Sequence, residues 1–90
     1  MKVKYSDRAV KDLIGFNAAY RTLIVAKIHY LADNFAQLKL SKKIPELKST
    51  KYGGQYRFTI ARKIRAIFRV EDDAFVMLIL RIGLRKDIYE

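Results

Sequence analysis

Apolar and polar positions change rhythm twice along this chain. Residues 1–5 (MKVKY) alternate, a period of two that predicts a short strand. Ser6 then offers a side-chain oxygen to the unpaired N–H groups of a helix start. Asp7 follows at the end where the helix dipole favours negative charge. Val10, Leu13 and Ile14 recur at helical spacing up to Gly15. A second helix is expected from Asn17 to Asp33, with Ile24, Ile28, Leu31 and Phe35 as its apolar stripe and Leu23 and Val25 at its flanks. Two helices joined by so short a link form a helical hairpin, and their one-sided stripes require a sheet to cover.

Residues 36–53 are polar and basic, punctuated by Pro45 and the Gly53-Gly54 pair, and are expected to form a long surface connection. The period of two then returns. Tyr56, Phe58 and Ile60 alternate with Arg57, Thr59 and Ala61. Ile64, Ala66, Phe68 and Val70 alternate with Arg65, Ile67 and Arg69. Glu71-Asp72-Asp73 reads as a turn. Residues 74–82 (AFVMLILRI) are apolar on both faces, as an interior strand must be. Gly83 is expected to end that strand, leaving a short basic tail from Leu84 to Glu90. The order is β-α-α-β-β-β, an α+β class. It forms one domain over residues 1–90, with the last three strands an antiparallel meander under the helical hairpin.

Charge changes the picture more than composition does. The chain carries 19 Lys and Arg against 9 Asp and Glu, a net charge of +10. Residues 1–34 carry a net +3 and residues 70–90 a net −2. Residues 35–69 carry a net +9, with Glu46 their single acid. A local field of that kind draws polyanions and releases their counterions, so nucleic acid or an acidic protein segment is the expected partner; an evenly solvated surface would mix its signs. Other chemistries are poorly served. Without cysteine there is neither a disulfide framework nor a zinc-thiolate site, and the single histidine, His29, has no companion at metal-ligand spacing and is expected to be structural or exposed. No cofactor or metal is expected. Gly53-Gly54 lacks the surroundings of a phosphate-binding loop. No apolar run is long enough to span a bilayer and no signal segment is apparent, so a cytoplasmic location is expected.

The arginines are the candidate chemistry. Arg57, Arg65 and Arg69 lie with Thr59 and Ile67 opposite the core-facing set, on neighbouring strands, with no acid before Glu71. Like charges facing one another destabilise a sheet, so such a cluster either is solvated at an edge or serves as a cradle for phosphate oxygens. Tyr52 and Tyr89 stand among cations and suit stacking on an unpaired base, whereas Tyr56 alternates with Phe58 and belongs to the core. One reaction needs nothing more. RNA supplies its own nucleophile, the 2′-hydroxyl. The protein would have to take that proton, stabilise the phosphorane-like transition state and protonate the leaving 5′-oxygen.

Four pieces in order carry a family resemblance: Leu47-Lys48, Tyr56-Arg57-Phe58, Ile64-Arg65-Ala66-Ile67-Phe68, and Ile82-Gly83-Leu84-Arg85-Lys86-Asp87-Ile88-Tyr89. Together with the short strand, helical hairpin and basic linker before them, they resemble the RelE/ParE toxin superfamily over essentially the whole chain. That resemblance implies a toxin of a type II toxin–antitoxin system. RelE-like members cleave mRNA in the ribosomal A site without metal, and ParE-like members poison DNA gyrase without nuclease chemistry. Carried onto this chain, it implies Arg57, Arg65, Arg85 and Tyr89 as catalytic residues. Lys48, Lys51, Tyr52, Arg62, Lys63 and Lys86 would form the surrounding nucleic-acid surface. The implied partners are the ribosome and mRNA, or alternatively gyrase, and a cognate antitoxin whose acidic segment matches the +9 block. The chain departs from the RelE pattern at Thr59, where a second cation is usual, and at the tip Ala61-Arg62-Lys63, where a glycine is usual. Glu46 stands one position out of register with the glutamate of some relatives.

Overall fold

A computed structural model describes residues 1–47 and 54–88. Its first element, β1 (Lys2–Tyr5), leads into α1 (Asp7–Ile14). As its sequence suggests, Ser6 caps that helix, its Oγ accepting from the Ala9 N–H at 3.0 Å. The second helix, α2 (Ala18–Asp33), is capped by the Asn17 side chain, which accepts from the Tyr20 N–H at 2.9 Å. Its buried face comprises Ile24, Ile28 and Leu31, as the spacing predicts, together with Ala32, whereas Phe35, expected in the same stripe, lies beyond the end of this helix and is partly buried against the core. The inward face of α1 differs from expectation. Ala9 is fully buried and Leu13 partly so, whereas Val10 and Ile14 are exposed. A small side chain at the contact lets the helix backbone lie close against the sheet.

The stretch expected to be a surface connection has structure of its own. A short helix, α3 (Phe35–Leu40), and a two-residue strand, β2 (Glu46–Leu47), occupy it, and Leu38 and Ile44 are buried in the core. Phe35 and Leu38, three apart on α3, supply the apolar anchors that the surrounding lysines obscure in the sequence.

Strands β3 (Gln55–Ala61), β4 (Ile64–Glu71) and β5 (Val76–Leu84) form the expected antiparallel meander. The full order is β1-β5-β4-β3-β2, with β1 parallel to β5, so the sheet is mixed and β5 is interior. Helices cover one face, over a core of Phe58, Ile60, Ile64, Ala66, Phe68, Met77, Ile79 and Ile82 with the buried side chains of α2. Tyr56 packs on this side, stacked on Phe68 at 5.5 Å between centroids with Phe35 edge-on at 5.7 Å. Leu80 is an extra residue in β5, since Ile67 pairs with Arg81 while Phe68 pairs with Ile79.

Gly83 does not end β5. It pairs with Arg65, and the strand runs on to Leu84. At the other hairpin, Asp72, Asp73 and Ala74 all have positive φ, so the turn takes in Ala74 and β5 begins only at Val76.

Candidate nucleic-acid interface

Cross-strand partners share a face of a sheet, so the register decides which side chains can act together. Arg57 pairs with Ile67, Thr59 with Arg65, Arg65 with Gly83 and Ile67 with Arg81. These residues therefore occupy the face turned away from the core cluster, as the alternation predicts. Glu46 pairs with Tyr56, whose ring lies on the helical side. The only acid of the basic block is thus directed away from Arg57.

The arginines of this face do not behave alike. Arg65 is half-buried and folds back on the β3–β4 hairpin, its Nη1 donating to the carbonyls of Ala61 at 2.9 Å, Arg62 at 3.0 Å and Ile64 at 3.3 Å. These bonds tie down the tip that lacks the usual glycine. They all use one guanidinium nitrogen, Nη1. Arg69 sits at the far end of β4 and is paired with Glu71 at 3.2 Å, both exposed. Arg81 is drawn to the edge by Asp12, at 3.0 Å. Arg57 is half-buried, and among the described residues its side chain makes no ion pair.

A second group of cations lies one step further along. The Arg85 N–H donates to the Lys63 carbonyl at 2.7 Å, bringing the turn that follows β5 against the β3–β4 tip. Between them opens a cleft of about 550 Å³ lined, among the described residues, by Arg62, Lys63, Leu84, Arg85 and Lys86. No acid lines it there, and none of the described ion pairs involves its four cations. The nearest acid in sequence, Asp87, is exposed in the same turn. Like-charged side chains on two turns joined by a backbone hydrogen bond repel one another, and a bound polyanion relieves that repulsion.

The structure therefore gathers Arg62, Lys63, Arg85 and Lys86 into one cleft, with Arg65 bonded to the carbonyls of its hairpin wall and Arg57 on the adjoining sheet surface. Lys48, Lys51, Tyr52 and Tyr89 lie outside the described residues. His29 is exposed on α2, and no group of three or more His, Cys, Asp or Glu stands together among the described residues. No helix among them is long and apolar enough to cross a membrane. Two features of this site escape the sequence reading, the backbone anchoring by Arg65 and the docking of Ile88. Ile88 is fully buried although Leu84 to Asp87 before it are exposed. Its signal was present, as the apolar residue four positions after Leu84 in a charged tail.

The model of one family, described as the ParE toxin of the type II toxin–antitoxin system parDE, matches residues 3–89. No curated protein sequence matches significantly. Among solved structures, the chain is similar to the archaeal RelE–RelB complex from Pyrococcus horikoshii OT3, at a TM-score of 0.68 and 22% identity over 96% of each chain. It is similar also to the intact RelBE toxin–antitoxin complex of E. coli, at 0.67 and 14% identity, covering 92% of this chain and 94% of that one. A third is the heterotetrameric YoeB–YefM toxin–antitoxin complex from Staphylococcus aureus, at 0.66 and 20% identity over 94% and 97%. At these identities the likeness establishes the fold.

Proposed function

The chain belongs to the ParE toxin family of type II toxin–antitoxin systems, and we propose that it acts as a ribosome-dependent mRNA endonuclease that arrests translation. The observation that carries this reading is the cleft between the β3–β4 tip and the turn after β5, lined by no acid among the described residues, where Arg62, Lys63, Arg85 and Lys86 converge beside the Arg57 and Arg65 face. Guanidinium groups fixed before substrate arrives are suited to charge that develops in a transition state, because they need no reorganisation when it forms.

In the reaction so served, the 2′-oxygen of one nucleotide attacks the adjacent phosphorus and its proton passes to a base. The P–O5′ bond then breaks, leaving a 2′,3′-cyclic phosphate, and the departing 5′-oxygen takes up a proton. Arg57, Arg65 and Arg85 would neutralise the phosphorane-like oxygens. Arg62, Lys63 and Lys86 would hold the flanking phosphates. Tyr89 is the candidate for proton transfer or base stacking on the family resemblance alone. The ribosome would present the message in an extended form that the open cleft accepts.

A second reading, inhibition of DNA gyrase without nuclease chemistry, draws on Thr59. It is exposed opposite Arg65, where RelE-like proteins carry a further cation. Induction of the protein in growing cells separates the two: early loss of translation, with cleaved messages, supports the nuclease. Continued translation with accumulating gyrase-dependent DNA breaks overturns it.

The structural neighbours with bound antitoxins support a cognate antitoxin here as well. With +9 over residues 35–69, its acidic segment is expected to cover part of that surface in a strongly salt-dependent complex. Salt-indifferent affinity, or contacts that avoid residues 35–69, would count against this.

A further inference from the structure

The four cations that line the cleft among the described residues all sit on turns, Arg62 and Lys63 between the paired strands β3 and β4, but Arg85 and Lys86 after the end of β5, where no partner strand holds them. The backbone of this second turn is closed by the Asp87 and Ile88 N–H groups, which donate to the Leu84 carbonyl at 2.9 and 3.0 Å. One further hydrogen bond, from Arg85 to Lys63, joins it to the hairpin tip. What seats it is Ile88. That side chain is fully buried, yet it stands outside the main core, as does Ile67, which is 1% exposed. Ile67 and Gly83 are diagonal neighbours on the outer face of the sheet. A Cβ at Gly83 would lie 3.7 Å from the Ile88 Cβ and 3.8 Å from its Cγ1. Ile88 therefore lies directly over Gly83. A side chain larger than a methyl group at Gly83 would compete with the isoleucine for its place on the sheet.

We propose that Ile88 and Gly83 are positioning residues that dock the turn on the sheet and so set Arg85 and Lys86 against Arg62 and Lys63. The inference rests on the reading of the cleft as a nucleic-acid site only for its functional consequence; the docking is a statement about this fold alone. Neither residue touches substrate. Ile88 acts through Arg85 and Lys86, and Gly83 acts through Ile88. Because Gly83 lies on the face opposite the helices and Ile88 stands outside the main core, undocking Ile88 frees the turn while the main core stays packed. A loosened turn lets the two cations spread apart under mutual repulsion, and the cleft loses its preorganisation.

The test compares Ile88→Ala, Ile88→Val, Gly83→Val and Gly83→Ala in the full chain with two readouts. The first is hydrogen exchange at the Arg85 amide. The second is affinity for a short single-stranded RNA oligomer as a function of salt. Ile88→Ala, and Gly83→Val whose γ-methyls would overlap Ile88, should each speed Arg85 exchange by at least about tenfold and weaken RNA binding by about tenfold. Both should retain a cooperative melt and unchanged exchange in the β3–β4 core. Ile88→Val should restore most of both. Gly83→Ala adds a methyl at ordinary contact distance and should move both readouts far less than Gly83→Val. Wild-type exchange at Arg85 in Ile88→Ala overturns the docking. Arg85→Gln separates the two ideas: if it leaves RNA affinity unchanged while Ile88→Ala still releases the Arg85 amide, the positioning stands and the nucleic-acid reading of the cleft falls. If Arg85→Gln weakens RNA binding and Ile88→Ala does not, the positioning role falls and the cleft stands.

Discussion

Asp12 on α1 holds Arg81 on β5, its Oδ2 accepting from Nε at 3.0 Å and from the Ile82 backbone N–H at 2.9 Å. The pair closes an edge. β1 covers β5 from Val76 to Ile79, and from Leu80 onward that edge has no neighbouring strand among the described residues. α1 and its cap take over, with the Ser6 N–H donating to the Ile79 carbonyl, the Ser6 hydroxyl to the Leu80 carbonyl and Asp12 accepting from Ile82. Pairing this edge also withdraws Arg81 from the cationic face.

Removal of that carboxylate should be costly for a surface helix. Asp12→Ala leaves the Ile82 N–H and the Arg81 guanidinium without their partner in a half-buried setting, and should lower stability by about 2–3 kcal/mol. Asp12→Asn keeps an acceptor for Ile82 and should cost roughly half as much. Urea denaturation of both variants checks the order. Equal, small losses would mean that water replaces the carboxylate.

The β4–β5 turn offers the opposite sign. Ala74 has φ +74°, in the left-handed region that costs a residue with a Cβ roughly 1–2 kcal/mol. Ala74→Gly relieves that strain and loses part of the gain to the greater freedom of the unfolded chain. A net stabilisation of about 0.5–1 kcal/mol should appear as a higher denaturation midpoint with an unchanged denaturant slope.

Tyr5 makes a pH-dependent prediction. Its hydroxyl is buried without a hydrogen-bond partner among the described residues, and burial raises its pKa above the ordinary 10.0. The folded state therefore keeps this proton after the unfolded state has released it. The associated stability is fully present below pH 10.0 and is lost as pH rises from there through the folded pKa. Tyr5→Phe should match or exceed the wild type by up to about 1 kcal/mol near neutral pH, because no bond is lost. It should also lose less stability than the wild type above about pH 10. Parallel alkaline limbs for the two proteins would mean that Tyr5 ionises as freely folded as unfolded.

For catalysis, the expected signature is loss of rate without loss of fold. Arg85→Gln should slow single-turnover cleavage of mRNA on programmed ribosomes by about a hundred- to a thousandfold, the scale of one preorganised donor, with little change in melting temperature. Thr59→Lys is expected to accelerate it by placing an ammonium across from Arg65 on the outer face. Absence of cleavage by the parent protein, and none gained by Thr59→Lys, would turn the assignment toward gyrase.

Most of the architecture was legible locally because its signals are local. Ser6 and Asn17 cap helices through their own side chains, and the stripe of α2 and the alternation in β3 and β4 each follow from one element's period. α3 and β2 were missed where lysines dominate the pattern and a few apolar residues, Phe35, Leu38 and Ile44, carry the packing. Of the candidate site, the residue types and the face were readable; who neighbours whom was not.

By itself, then, the sequence determined that three strands pair under a helical hairpin and that Arg57 and Arg65 share their outer face, because period and charge are properties of single segments. Only the tertiary structure decided which cations meet. Register across β4 and β5 places Gly83 beside Arg65 and leaves room for Ile88, and a single backbone hydrogen bond carries Arg85 to Lys63. Such contacts join residues distant along the chain, and they form only when the sheet has closed around its core and brought the two turns to the same end.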